Sequence, residues 1–172
     1  PLGLTNIIAA VAAGESDSGG FCVALRNDGT VVAWGGGSRF YDRGQTNVPP
    51  GLSNVVAISA EYDRTLALKN DGTLVGWGTD FYNNTNPPAG LSNVVAVSVG
   101  ATHNLALKSD GTVTSWGNNS SGQTNVPGGL SNVVAVAAGA QHSVCLRDDG
   151  TVLAWGYNQY GQTNVPPGLT NV

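Results

Sequence analysis

Residues Leu130–Gly168 read LSNVVAVAAGAQHSVCLRDDGTVLAWGYNQYGQTNVPPG, and this stretch decides the architecture because the chain repeats it. Leu91–Gly129 reads LSNVVAVSVGATHNLALKSDGTVTSWGNNSSGQTNVPGG, and Leu52–Gly90 reads LSNVVAISAEYDRTLALKNDGTLVGWGTDFYNNTNPPAG. Each is 39 residues long and the three align without a gap. The first copy, Leu4–Gly51, has 48 residues. Its extra residues fall as one in the first strand (IIAAVAAG), four in GESDSGGFC and four in GGGSRFYDRGQ. LTNV at 169–172 opens a further copy, and PLG at 1–3 resembles the close of a preceding one. Self-similarity at a fixed period of this size is the signature of a repeat architecture.

Within a repeat the elements follow from local chemistry. NVVAVAAG is a short, uniformly apolar run, which predicts a strand buried on both faces. SVCLR or NLALK is a second strand. Asp-Gly follows at Asp28-Gly29, Asp71-Gly72, Asp110-Gly111 and Asp149-Gly150. Between apolar strands that dipeptide predicts a tight hairpin with a type I′ turn, which needs positive φ at both central residues. TVLAWG is a third strand, closing on Trp34, Trp77, Trp116 or Trp155. The GQTNVPPG stretch has room only for a short outer strand, because proline cannot donate to a ladder. Three or four antiparallel strands in about forty residues, in tandem, is the economy of a β-propeller blade. Helical repeats are excluded, since no segment has a useful 3.6-residue apolar period. A parallel β-helix has shorter rungs, and a β-sandwich would not repeat its sequence so closely. The expected organisation is all-β, one repeat domain over 1–172, with blades at 4–51, 52–90, 91–129 and 130–168 and the start of another at 169–172.

Composition excludes several function classes. Charged residues are 10% of the chain and apolar ones 41%, the opposite of a disordered segment. A formal charge of −4 and only seven Lys and Arg argue against nucleic acid as a partner, which calls for a clustered basic surface. There is no run of eighteen apolar residues, so no membrane span is expected. A chain that begins at Pro1 and contains no methionine is expected to be processed, excised or cut from something longer. Cys22 and Cys145 are not spaced as a metal knuckle or redox pair. Both sit in apolar runs and read as buried free thiols, with a disulfide, including one to a second chain, as the alternative.

The pattern AAGxxHSxxLxxDGTVxAWGxNxxGQ, carried most fully by Ala138–Gln162, resembles the RCC1 repeat, the regulator of chromosome condensation type of β-propeller. The resemblance extends over all four repeats. Repeat two departs furthest, with Asn83-Asn84 in place of Gly-Gln and Glu61 in place of glycine. The family includes exchange factors for a small GTPase, a plant ultraviolet photoreceptor and a secreted bacterial inhibitor of β-lactamases. The compact repeat looks most like the short bacterial ones, such as the inhibitor's, and that likeness points to a secreted or cell-surface protein. The exchange factors' longer blades and the photoreceptor's GWRHT signature have no counterpart here. Family propellers usually close with seven blades. Four of this kind are expected to leave an open arc, completed by a second copy into a homodimeric ring of eight blades, or to be part of a longer array.

Candidate sites divide into columns and loops. The tryptophans share one repeat position and read as packing within or between blades. His103 and His142 share a column with Arg64 and Phe21, which is no metal set, since zinc needs three or four convergent ligands. No nucleophile stands outside the repeat pattern and the aspartates fall mostly in turns, so no catalytic residue, metal or cofactor is predicted. Arg26, Lys69, Lys108 and Arg147 precede the hairpin aspartates and read as a solvated rim, with acidic-partner binding as the alternative. Function in repeat proteins collects where copies differ. Those places hold Phe40, Tyr41, Arg43, Tyr62, Phe81, Tyr82, Tyr157 and Tyr160. Tyr and Arg on rigid loops are typical anchors of a protein-binding surface. The expected function is therefore non-enzymatic: a scaffold for protein–protein interaction through aromatic loops. A purely structural, self-assembling module with no dedicated ligand is the alternative, and the resemblance adds an enzyme inhibitor of the β-lactamase-inhibitor type as a third reading.

Overall fold

The computed structural model describes residues 4–14, 20–36 and 42–169. Among them are twelve strands in four three-stranded antiparallel sheets, each in simple sequential order. The first sheet comprises β1 (Ile7–Ala13), β2 (Phe21–Arg26) and β3 (Val31–Gly35). The second comprises β4 (Val55–Glu61), β5 (Arg64–Lys69) and β6 (Leu74–Gly78). The third comprises β7 (Val94–Val99), β8 (His103–Lys108) and β9 (Val113–Gly117), and the fourth β10 (Val133–Ala138), β11 (His142–Arg147) and β12 (Val152–Gly156). Each sheet lies within one sequence repeat. No outer fourth strand forms among the described residues. The GQTNVPPG stretch is spent on turns instead, with the Asn125 N–H donating to the Gly122 carbonyl and the Leu130 N–H to that of Pro127.

Two local expectations are corrected. The first strand of each repeat is an edge strand, and its burial is partial. It is the central second strand that is buried almost throughout, as in β5 and β8. In every sheet the register slips one residue into the first strand, between Ile7 and Ala9, Val55 and Ala57, Val94 and Ala96, or Val133 and Ala135. The residue bulged out, Ile8, Val56, Val95 or Val134, is exposed. The asparagine entering each of these strands has positive φ, 58–59°, a conformation that asparagine tolerates better than most side chains. Its carbonyl accepts the N–H of the residue after the second strand, as Asn54 does from Asn70 at 2.9 Å.

The Asp-Gly hairpins are not type I′. Among the residues of the second-sheet loop only Gly72 has positive φ, at 76°. The Gly72 N–H donates to the Lys69 carbonyl at 3.0 Å, and the Lys69 N–H to the Thr73 carbonyl at 2.9 Å. This is a three-residue loop closed by a left-handed glycine. The threonine explains the choice. Asp71 folds its carboxylate over the loop and accepts both the Thr73 N–H (3.0 Å) and its hydroxyl (2.6 Å), and the other three hairpins repeat the arrangement.

The chain divides into two compact halves. One runs to Phe81 and includes Thr85–Leu91; the other takes Tyr82–Asn84 and everything from Ser92. In the first half Phe21, Val23 and Leu25 pack with Val55, Ala67 and Trp77. In the second half Leu105 and Leu107 pack with Val133, Cys145 and Trp155. Trp77, Trp116 and Trp155 are thus buried, and each of these three indoles also closes a polar contact, whereas Trp34 is half-buried. Trp77, Trp116 and Trp155 donate from Nε1 to the carbonyls of Gln45, Asn84 and Gln123, 3.0–3.1 Å away and each 32 residues earlier.

Candidate protein-binding surface

The ladder decides which loops share an end of a sheet. Because Glu61 pairs with Arg64 and Arg64 with Gly78, the β4–β5 turn and the segment after β6 lie at one end. The Asp71-Gly72 hairpin lies at the other. The same holds within each sheet, so every described candidate falls at the end of its own sheet opposite the Asp-Gly hairpin. Arg43 follows β3, Tyr62 occupies the β4–β5 turn, Phe81 and Tyr82 follow β6, and Tyr157 and Tyr160 follow β12. Phe40 and Tyr41 lie outside the described residues.

In the first half the fold brings candidates from two repeats together. The Arg43 guanidinium lies over the Phe81 ring, with Cζ 5.2 Å from the centroid, a cation–π arrangement. Its Nε is 3.7 Å from Asp63 Oδ2, and that carboxylate is largely buried whereas the arginine is not. The Arg43 N–H donates to the Gln45 side-chain oxygen at 2.7 Å. Phe81 is held this way while 72% exposed. Tyr62 next to Asp63 is exposed and has φ 53°, a left-handed conformation unusual for a bulky side chain. Arg64 is buried behind them. Desolvation lowers its pKa to about 10 against the opposing pull of Glu61, Asp80 and Asp63, so it is a cation at neutral pH.

In the second half Tyr157 and Tyr160 meet edge to face, with centroids 6.1 Å apart and planes at 65°. The Tyr157 hydroxyl donates to Gln159 Oε1, and Tyr160 is 83% exposed. Tyr82 belongs to this half and is exposed.

What the sequence reading missed is the frame. The glutamine of each Gly-Gln pair turns its side-chain oxygen back to the N–H two residues earlier: Gln45 to Arg43, Gln123 to Ser121 (2.8 Å) and Gln162 to Tyr160 (2.9 Å). A fixed glutamine therefore presents a variable residue. The recurrence of Gly-Gln in three repeats was the available signal. Asp63, which braces Arg43, follows Tyr62 directly and is not among the residues expected from the sequence.

His103 is fully buried, with Nε2 2.8 Å from Ser143 Oγ. Register confirms the column, since Phe21, Arg64, His103 and His142 each face the glycine that ends the third strand. Three of the four hairpin cations are paired within their own loops, Lys69 with Asp71 at 3.1 Å and Lys108 with Asp110 and Arg147 with Asp149 at 3.2 Å. Both cysteines are free thiols, and burial pushes the pKa of Cys145 up. Among the described residues no group of three or more His, Cys, Asp or Glu is placed to hold a metal, and no helix is long and apolar enough to cross a membrane.

The regulator of chromosome condensation (RCC1) repeat matches residues 94–123 and 133–162. No curated protein matches the sequence. Among solved structures, Prp20p from Saccharomyces cerevisiae, described with its binding to Gsp1p and histones, has a TM-score of 0.75 at 20% identity, over 95% of this chain and 48% of Prp20p. Human WBSCR16 has a TM-score of 0.72 at 20% identity, over 96% of this chain and 51% of its own. The computationally designed protein Ika4 has a TM-score of 0.54 at 22% identity, over 90% of this chain and 94% of its own. The chain spans about half the length of the two natural relatives. Two of its four repeats match the RCC1 repeat, and its fold is similar to that of RCC1-like β-propellers.

Proposed function

We propose that this chain is a non-enzymatic scaffold for protein–protein interaction, one repeat domain over 1–172, and that it docks its partner on the loop end of its sheets. One observation carries the reading: Arg43 stacked on an exposed Phe81 and braced by a largely buried Asp63. Holding an aromatic ring and a guanidinium in place before a partner arrives lowers the entropy cost of binding, and such residues dominate protein interfaces. In the other half the Tyr157–Tyr160 pair offers the same chemistry on its own sheet. Prp20p is described with Gsp1p and histones as binding partners and with Kap60 bound, which supports protein as the class of ligand. Fold alone does not choose the partner.

The test is capture on immobilised chain, wild type beside Phe81→Ala, Arg43→Ala and Tyr160→Ala, with unfolding followed by circular dichroism. A protein retained by the wild type and lost from Phe81→Ala and Arg43→Ala at unchanged stability supports the surface. Equal capture by every variant sinks it.

A second copy of the chain is a further partner in this reading, two chains completing a ring of eight blades. The solution mass tests it.

A further inference from the structure

The packing of one sheet on the next is seen once within each half, and it is built the same way both times. One side offers two apolar residues of the central strand, Val23 and Leu25 or Leu105 and Leu107. It also offers a loop carbonyl, that of Gln45 or Gln123. The receiving side offers a valine at the start of its first strand, Val55 or Val133, and an indole, Trp77 or Trp155.

Among the described residues, the first and last sheets each carry one half of this junction. In the fourth sheet Val144 and Leu146 stand where the paired leucines or valine stand in β2 and β8, yet they are only half-buried. Gln162 is likewise half-buried, whereas Gln45 and Gln123 are buried. Its loop is nonetheless already shaped by the Tyr160 N–H, which donates to its side-chain oxygen as in the other two. In the first sheet Ile7 is 37% exposed where Val55 and Val133 are 3% and 4% exposed. Trp34 is half-buried where Trp77 and Trp155 are buried.

We infer that these two half-junctions fit each other between copies of the chain. The fourth sheet of one copy packs on the first sheet of the next, head to tail, with Val144 and Leu146 covering Ile7 and Trp34 Nε1 donating to the Gln162 carbonyl. This rests on the reading that a second copy is a partner, and it names the contact. A second copy is the occupant because each face is the missing complement of the other, position by position. Two first sheets brought together would face indole with indole and leave both without a carbonyl. The contact is therefore heterologous rather than isologous.

The experiment is light scattering on the 172-residue chain over a wide range of concentration, with a head variant, Trp34→Ala, and a tail variant, Leu146→Asp. Wild type is expected at twice the chain mass of 17.4 kDa or above, and each variant alone at the single-chain mass. Loss of a central buried aromatic weakens association by at least about thirtyfold. Mixing the variants is expected to restore a pair, because the tail of one and the head of the other are intact. Trp34→Phe, which keeps the ring and loses the donor, gives an intermediate loss and covers the case in which Trp34→Ala fails to fold. A wild type that stays at single-chain mass overturns both the junction and the self-association reading. Association that survives Trp34→Ala and Leu146→Asp overturns the junction alone. Two variants that each dissociate but do not rescue one another overturn the head-to-tail order.

Discussion

Ser143 and Trp155 donate to the same atom, the main-chain carbonyl oxygen of Gln123, at 2.8 and 3.0 Å. In the preceding repeat Asn104 Nδ2 and Trp116 Nε1 share the Asn84 carbonyl at 2.7 and 3.1 Å. A carbonyl has two lone pairs, and burial makes it costly to leave them idle. The arrangement also fixes a proton. Ser143 has one hydroxyl hydrogen and gives it to Gln123, so the contact at 2.8 Å from His103 Nε2 has the histidine as donor.

Trp155→Phe is expected to cost about 1 kcal/mol, since Ser143 still serves the carbonyl and the apolar body remains. Ser143→Ala is expected to cost more, about 1–3 kcal/mol, because it deprives both the carbonyl and a buried imidazole N–H. The two losses will not add, as both act on one acceptor. Urea unfolding of the single and double variants reads all three quantities.

Gly139→Ala is expected to destabilise by about 1–3 kcal/mol, by overpacking. A Cβ there would stand 2.3 Å from His142 Cε1. The cost should fall in the double variant Gly139→Ala, His142→Ala, where the ring that it meets is gone. Repeat two already changes the two positions together, with Glu61 and Arg64 in place of glycine and histidine. Thermal unfolding of the pair checks the coupling.

Tyr62→Asn is expected to raise stability by about 1 kcal/mol, by relieving a left-handed conformation held by a bulky residue at φ 53°. If Tyr62 belongs to the docking surface, the same change weakens partner capture. Opposite signs in a melting curve and a binding curve are the expected result.

Asp71 and Asp110 have pKa values lowered to about 2 from the ordinary 3.8, first by the side-chain hydrogen bond of Thr73 or Thr112, then by the same residue's N–H, then by the neighbouring lysine. The folded value lies below the unfolded one. The stabilisation is therefore complete above the ordinary carboxylate range and is lost as pH falls through about 2. Thr112→Val, which removes the largest of these contributions, should be less stable than wild type near neutral pH. The gap should close as the acid limb is descended, which urea midpoints along a pH series would show.

The repeat made the sheets legible before any coordinates, because Asp-Gly, the tryptophan and the apolar runs recur in phase. The errors came from reading a run without its neighbours. NVVAVAAG is as apolar as a strand buried on both faces, but whether its faces are covered depends on its edge position and on the bulge at the second valine. Asp-Gly alone predicts type I′, and the threonine that follows, by occupying the aspartate, selects a longer loop. At the candidate surface the variable residues were visible as differences between copies. Their assembly was not, since Arg43 meets Phe81 and Asp63 across a repeat boundary and no pattern within one repeat records that contact.

The stitch from Trp77, Trp116 and Trp155 to a carbonyl 32 residues upstream has a genetic consequence. Every donor and its acceptor sit at fixed offsets in adjoining copies, so unequal crossing-over within the gene yields a chain one copy longer or shorter whose internal contacts are all remade. Copy number can drift by whole steps without a frustrated intermediate.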